Sequence, residues 1–173
     1  MPDPASQSAA DWEAADEILG KWRDTIGQIQ NAHYRSAIYV QRLNYALGIP
    51  ALVISTAVGS TIFATISDDA SNAVKIVLGL LSLAAAVLAG LQTWLGYKET
   101  AARHHIGGVR YGALLRLIDQ TRSFPFERRE DAKAFLDLVR GEWDSLQKEL
   151  PMISQHVWEN DHTLPQRIAG RTG

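Results

Sequence analysis

The sequence predicts an all-α protein: a two-helix transmembrane hairpin extended by long cytoplasmic helices, with a C-terminal cytoplasmic helix completing a helical bundle. Three observations carry that expectation. Two long stretches contain no charged residue, apolar positions recur in steps of three and four on either side of them, and nothing reads as a strand or an internal repeat.

The length of 173 residues suits one domain, and the lack of cysteine removes disulfides and thiolate metal sites from consideration. A net charge of −2 leaves no dominant basic patch, so nucleic acid is not an expected partner.

The chain opens with MPDPASQS, read as a disordered segment over 1–8. Ser8 followed by Asp11 resembles a capping box, which places a helix start near Ala9. Along 9–42 the apolar or small residues Trp12, Ala15, Leu19, Trp22, Ile26, Ile29, His33, Ser36, Val40 and Leu43 form a heptad seam running into the first uncharged stretch. That stretch, LNYALGIPALVISTAVGSTIFATIS over 43–67, is about 25 residues long, against ~20 needed to span a hydrocarbon core as a helix. A secretory signal is a poor fit, because the run starts far from the N-terminus and exceeds a typical signal core. Pro50 is expected to kink it near its cytoplasmic end.

Residues 68–75 form the external loop. The second stretch, IVLGLLSLAAAVLAGLQTWLGY over 76–97, is about 22 residues, again enough to span. Neither stretch has the polar face that a core helix of a small soluble protein carries. Lys and Arg flank the outer ends of the pair (Arg23, Arg35, Arg42; Lys98, Arg103, Arg110, Arg116), while the loop side offers only Lys75. The positive-inside rule then places both termini in the cytoplasm of a multi-pass protein. Tyr45, Trp94 and Tyr97 are the expected interfacial aromatics.

The seam resumes over 98–123 with Tyr97, Ala101, His104, Gly108, Tyr111, Leu115 and Ile118. It extends backward through Trp94, Gly90, Val87, Leu83 and Leu80, which predicts one unbroken helix that stops before Pro125. Pairing equal depths of the two long helices brings His33 near Gly107 and Gly108, where missing side chains permit close approach beside His33 and Tyr34. A further helix over 127–150 carries Ala132, Leu136, Val139, Trp143, Leu146 and Leu150. A short apolar segment follows over 151–160, and 161–173 reads as a disordered tail.

No chemistry is assigned from these residues. His104 and His105 project about 100° apart on a helix and cannot easily share an ion. His33 and His104 lack a carboxylate or cysteine at ligand spacing. The glycines of HIGGVRYG lie inside a helix and match no phosphate-binding loop. No catalytic residue, metal ligand or cofactor is expected. The candidate residues lie on two surfaces. One is a small or polar helix-packing or pore face: Asn44, Gly48, Ala51, Ser55 and Gly59 on the first span, and Gly79, Ser82, Ala86, Gly90 and Thr93 on the second. The other is the cytoplasmic seam of Trp22, Ile26, Ile29, His33, His104, Gly108, Tyr111 and Leu115.

The order of these features resembles the SLATT proteins, two-transmembrane effectors of bacterial conflict systems. The features are a charged helix with a Trp (KWRDTIGQIQNAHYR), two spans, a post-membrane H-x-x-x-G-x-x-Y (His104, Gly108, Tyr111), and a helix leading to Pro151 and Trp158. The resemblance covers Asp11 to Asn160. It implies a bacterial inner-membrane effector in contact with lipid, assembled as a homo-oligomer. Such an effector forms pores that depolarise or kill an infected cell. A nucleotide second messenger or a partner sensor would trigger it, and the implied partner is a nucleotide-producing or nucleotide-sensing protein. The family supplies no catalytic residue. A membrane-anchored adaptor that presents its bundle to a sensor protein is the other reading.

Overall fold

The computed structural model describes residues 4–65, 71–126, 129 and 131–159. Every regular element among them is helical: α1 Pro4–Thr65, α2 Asn72–Leu95, α3 Tyr97–Arg122, α4 Ala132–Glu149 and α5 Gln155–Glu159.

Several boundaries differ from the sequence expectation. α1 starts at Pro4, so residues 4–8 are helical and Ser8 lies inside the helix, not at its start. Proline suits a first turn because its missing N–H has no partner there, and the alanines that follow favour helix. α1 continues through Pro50. α2 begins at Asn72, which shortens the expected loop; residues 68–70 of that loop, like 1–3 and the tail 161–173, lie outside the described residues. α4 begins at Ala132, not near Glu127, because the Asp131 carboxylate accepts the Ala134 N–H at 2.7 Å and so caps the first turn. Residues 127, 128 and 130 lie outside the described residues.

The expectation of one unbroken helix through the second span is also corrected. Gly96 adopts φ 57° and ψ 27°, ending α2 in the left-handed conformation that glycine reaches without a Cβ clash. The break changes which side of the chain is buried. After it, Tyr97, Ala101, His104, Gly108, Tyr111, Leu115 and Ile118 are all buried or partly buried, as the seam predicts. Before it, the backward extension through Leu80, Leu83, Val87, Gly90 and Trp94 is exposed, and burial falls on Leu78, Ala85, Leu88, Gln92 and Leu95. Those positions are displaced by two residues, or about 200° around a helix.

The described residues divide into two compact units. One combines the chain up to Ala37 with the chain from Ala102 onward. Its core joins Trp12, Leu19 and Ile26 of α1 with Tyr111, Leu114 and Ile118 of α3 and with Val139 and Leu146 of α4. Trp22 meets Trp143 edge to face at 5.9 Å. Arg129, in the α3–α4 connection, is nearly buried (4% exposed) and donates to the Asp16 carboxylate at 2.9 Å. It also donates to the carbonyls of Arg122 (2.9 Å) and Phe124 (2.8 Å), and its guanidinium lies over the rings of Trp12 and Phe126. A buried guanidinium needs this number of partners to offset its desolvation.

The other unit is Ile38–Ala101. Its two helical segments are each long and apolar enough to cross a membrane, yet only 11% and 6% of their most apolar stretches are buried. Leu52, Ile76, Leu80 and Leu83 are each more than 60% exposed.

Replacing Arg129 by Leu is expected to destabilise the Asp16-containing unit by about 3 kcal/mol, because the Asp16 carboxylate loses its principal partner and two carbonyls lose their donors. Thermal unfolding followed by circular dichroism measures this, and an unchanged midpoint contradicts it.

Candidate functional site

The seam residues converge where α1 and α3 pack most closely. His33 and His104 are 3% and 4% exposed. Their Nδ1 atoms are 3.1 Å apart, a hydrogen bond in which one ring donates and the other accepts. The Tyr111 ring stacks on His33 at 5.4 Å. Burial, with a smaller contribution from His104, lowers the His33 pKa from 6.5 to about 4. Burial also lowers the His104 pKa and raises that of the Tyr111 hydroxyl, the latter against the opposing pull of Arg110. Both imidazoles are therefore neutral near pH 7.

Three glycines of α3 make the approach possible. A Cβ on Gly107 would lie 2.9 Å from His33 Nδ1, and one on Gly108 would lie 2.7 Å from the Tyr34 ring. One on Gly112 would meet the Gln30 amide at 2.5 Å. The pairing of His33 with this glycine region follows the depth matching made from sequence. His104 is the buried member of the adjacent pair. His105 is exposed and meets Tyr34 edge to face at 5.7 Å. Trp22, Ile29 and Leu115 are partly buried along the same seam, and Ile26 is fully buried.

His33 and Tyr111 also line an open cavity of about 230 Å3, whose other wall runs from Gln147 to Trp158. A second groove of about 370 Å3 lies between α3 and α4, walled by leucines with Arg110 and Glu142 at its edges. Glu149 accepts a hydrogen bond from Arg110. Among the described residues no group of three His, Asp or Glu side chains could hold a metal ion. Ser36, one turn from His33, is buried with its hydroxyl unpaired.

In the 38–101 unit the small and polar faces part company. On α1, Ala51 is buried, Asn44, Gly48 and Gly59 are partly buried, and Ser55 is exposed. Gln92 of α2 donates to Asn44 at 3.1 Å, and a Cβ on Gly48 would lie 2.7 Å from the same amide. Gln92 was not among the expected residues, although it was the one amide in its uncharged run. On α2, Gly79, Ser82, Ala86, Gly90 and Thr93 are all exposed, and Cβ atoms on Gly59, Gly79 and Gly90 would touch nothing within 4 Å. The expected contact of the two small faces within one chain is thus not made: Asn44 and Gly48 of α1 face Gln92, and the small residues of α2 are left exposed. Of the expected interfacial aromatics, Tyr45 and Trp94 are exposed and Tyr97 is partly buried.

Comparison with protein-family models, with curated proteins and with solved structures finds no match.

A glycine series separates close packing from open helix. Gly107→Ala and Gly108→Ala are expected to lose about 1–3 kcal/mol, because ring atoms must move. Gly27→Ala and Gly141→Ala, with nothing in reach of the new methyl, are expected to gain up to about 1 kcal/mol from helix propensity. Gly112→Ala meets the far end of a flexible Gln30 and is expected to be milder than either of the first pair. Chemical denaturation of the five variants checks the order.

Proposed function

We propose that this protein is a bacterial inner-membrane effector whose hairpin, 43–67 and 76–97, crosses the bilayer with both termini in the cytoplasm and assembles with further copies into a pore. The observation that carries the reading is the exposure of apolar side chains around long helices, with only 11% and 6% of the most apolar stretches buried. A core helix of a soluble protein buries such a face. Hydrocarbon is the solvent in which leaving it uncovered costs nothing.

A pore needs several copies, because two helices cannot enclose a channel. The exposed small residues of α2 allow close approach by a neighbouring helix. The spans contain no charge, so a pore built from them would discriminate weakly among ions. The resemblance to SLATT proteins supplies the defence role and the nucleotide-linked partner, and no enzymatic step is assigned. The second reading is a membrane-anchored adaptor, favoured by the packed helical unit beyond the spans, which could present a surface to a sensor protein.

Induced expression, with the triggering partner where one is needed, is expected to collapse membrane potential, read with a potential-sensitive dye. Gly90→Leu, which fills an open position on α2, is expected to abolish the collapse while leaving membrane insertion intact. Function that survives exchange of both spans for an unrelated hairpin would favour the adaptor instead.

A further inference from the structure

We propose that the His33–His104 pair is an acid-opened joint: protonation of the two imidazoles separates α1 from α3 where the glycines hold them closest. This inference is independent of the pore reading.

In the neutral pair one N–H and one lone pair face each other across 3.1 Å. The first added proton can enter at the outer Nε2 of the donating ring, which keeps the bond but places a positive charge in a buried site. The second must take the accepting Nδ1 lone pair, and N–H then opposes N–H. The two rings titrate as one coupled unit.

Among the described residues neither ring has a carboxylate partner, and a proton on His104 disfavours one on His33. The charged neighbours in sequence are Arg35 on α1 and Glu99 and Arg103 on α3, all at exposed positions and each already engaged in an interaction of its own. His105 on α3 is exposed against Tyr34, and Arg110 is engaged with Glu149 of α4. The described residues of the wall facing His33, Gln147, Leu150, Pro151, Met152, Ile153 and Trp158, carry no ionisable group. A Cβ on Gly107 would lie 2.9 Å from His33 Nδ1, so the α3 backbone closes that side of the ring and repulsion between the imidazoles pushes the two helices apart.

Burial favours the neutral rings, so the closed joint binds protons later than a free imidazole does. Its contribution to stability is complete above about pH 6.5 and is lost as pH falls toward 4. From the His33 displacement alone, the closed state loses about 30-fold in population relative to the open one between pH 7.5 and 5.

Hydrogen exchange of the full chain in nanodiscs, corrected for intrinsic rates, tests this on residues 26–37 and 102–115. Protection is expected to fall about tenfold or more from pH 7.5 to 5 in the native chain. It should hold steady in the His33→Gln/His104→Gln double variant, since amides can pair but do not titrate in this range. An equal fall in both chains, or none in the native chain, overturns the proposal. Should the double variant fail to fold, imidazole NMR titration of the native chain decides. Coincident midpoints for ring protonation and loss of protection support the joint, and separate midpoints overturn it.

Discussion

The structure depends first on apolar side chains that none of the described residues covers. Along Ile38–Ala101 more of the described leucines, isoleucines and valines are exposed than are buried or partly buried. Such a surface is stable only where the surroundings are themselves apolar. The polar groups of the same region are arranged to suit that demand. The hydroxyls of Thr56, Ser60, Thr61 and Thr93 donate to carbonyls one turn earlier on their own helix, at 2.8–3.0 Å. Asn44 and Gln92 satisfy each other across α1 and α2. In hydrocarbon a polar side chain without such a partner is costly, so these bonds contribute register as well as stability.

The remaining unit is organised by the opposite chemistry. Its helices bury one seam and expose charge on the other side. Tight contact is concentrated at two places. At one, α3 glycines admit the rings of His33 and Tyr34; at the other, Arg129 ties the α3–α4 connection to Asp16 near the start of α1. Arg23 and Asp119, paired at 2.6 Å, link the same two long helices between these points but are half exposed. That pair is screened by water and contributes little by comparison.

Much of this was legible in the sequence because helical burial obeys a period. The seam from Trp12 to Leu43 and that from Tyr97 to Ile118 are recovered position by position. So is the placement of His33 against Gly107, since counting from the loop fixes depth in two packed helices. The failures share a cause as well. The turn at Gly96 is a single left-handed residue that leaves no periodic trace, yet it moves burial on α2 away from Leu80, Leu83 and Val87. With it, the small residues of α2 are left facing outward. Arg129 and Asp16 are far apart in sequence and look like ordinary surface charges until the fold brings them together. The direct bond between His33 and His104 needed side-chain geometry that spacing alone does not supply.

Every functional reading of this chain rests on α1 and α2 crossing a bilayer and returning. The absence of cysteine allows a clean test, because each introduced thiol is unique. Ser71→Cys and Asn31→Cys, both at exposed positions, can be probed in intact cells with a membrane-impermeant maleimide. The Ser71→Cys variant is expected to label from outside, and the Asn31→Cys variant only after permeabilisation. Equal labelling of both in intact cells, or recovery of the chain in the soluble fraction, would contradict the crossing.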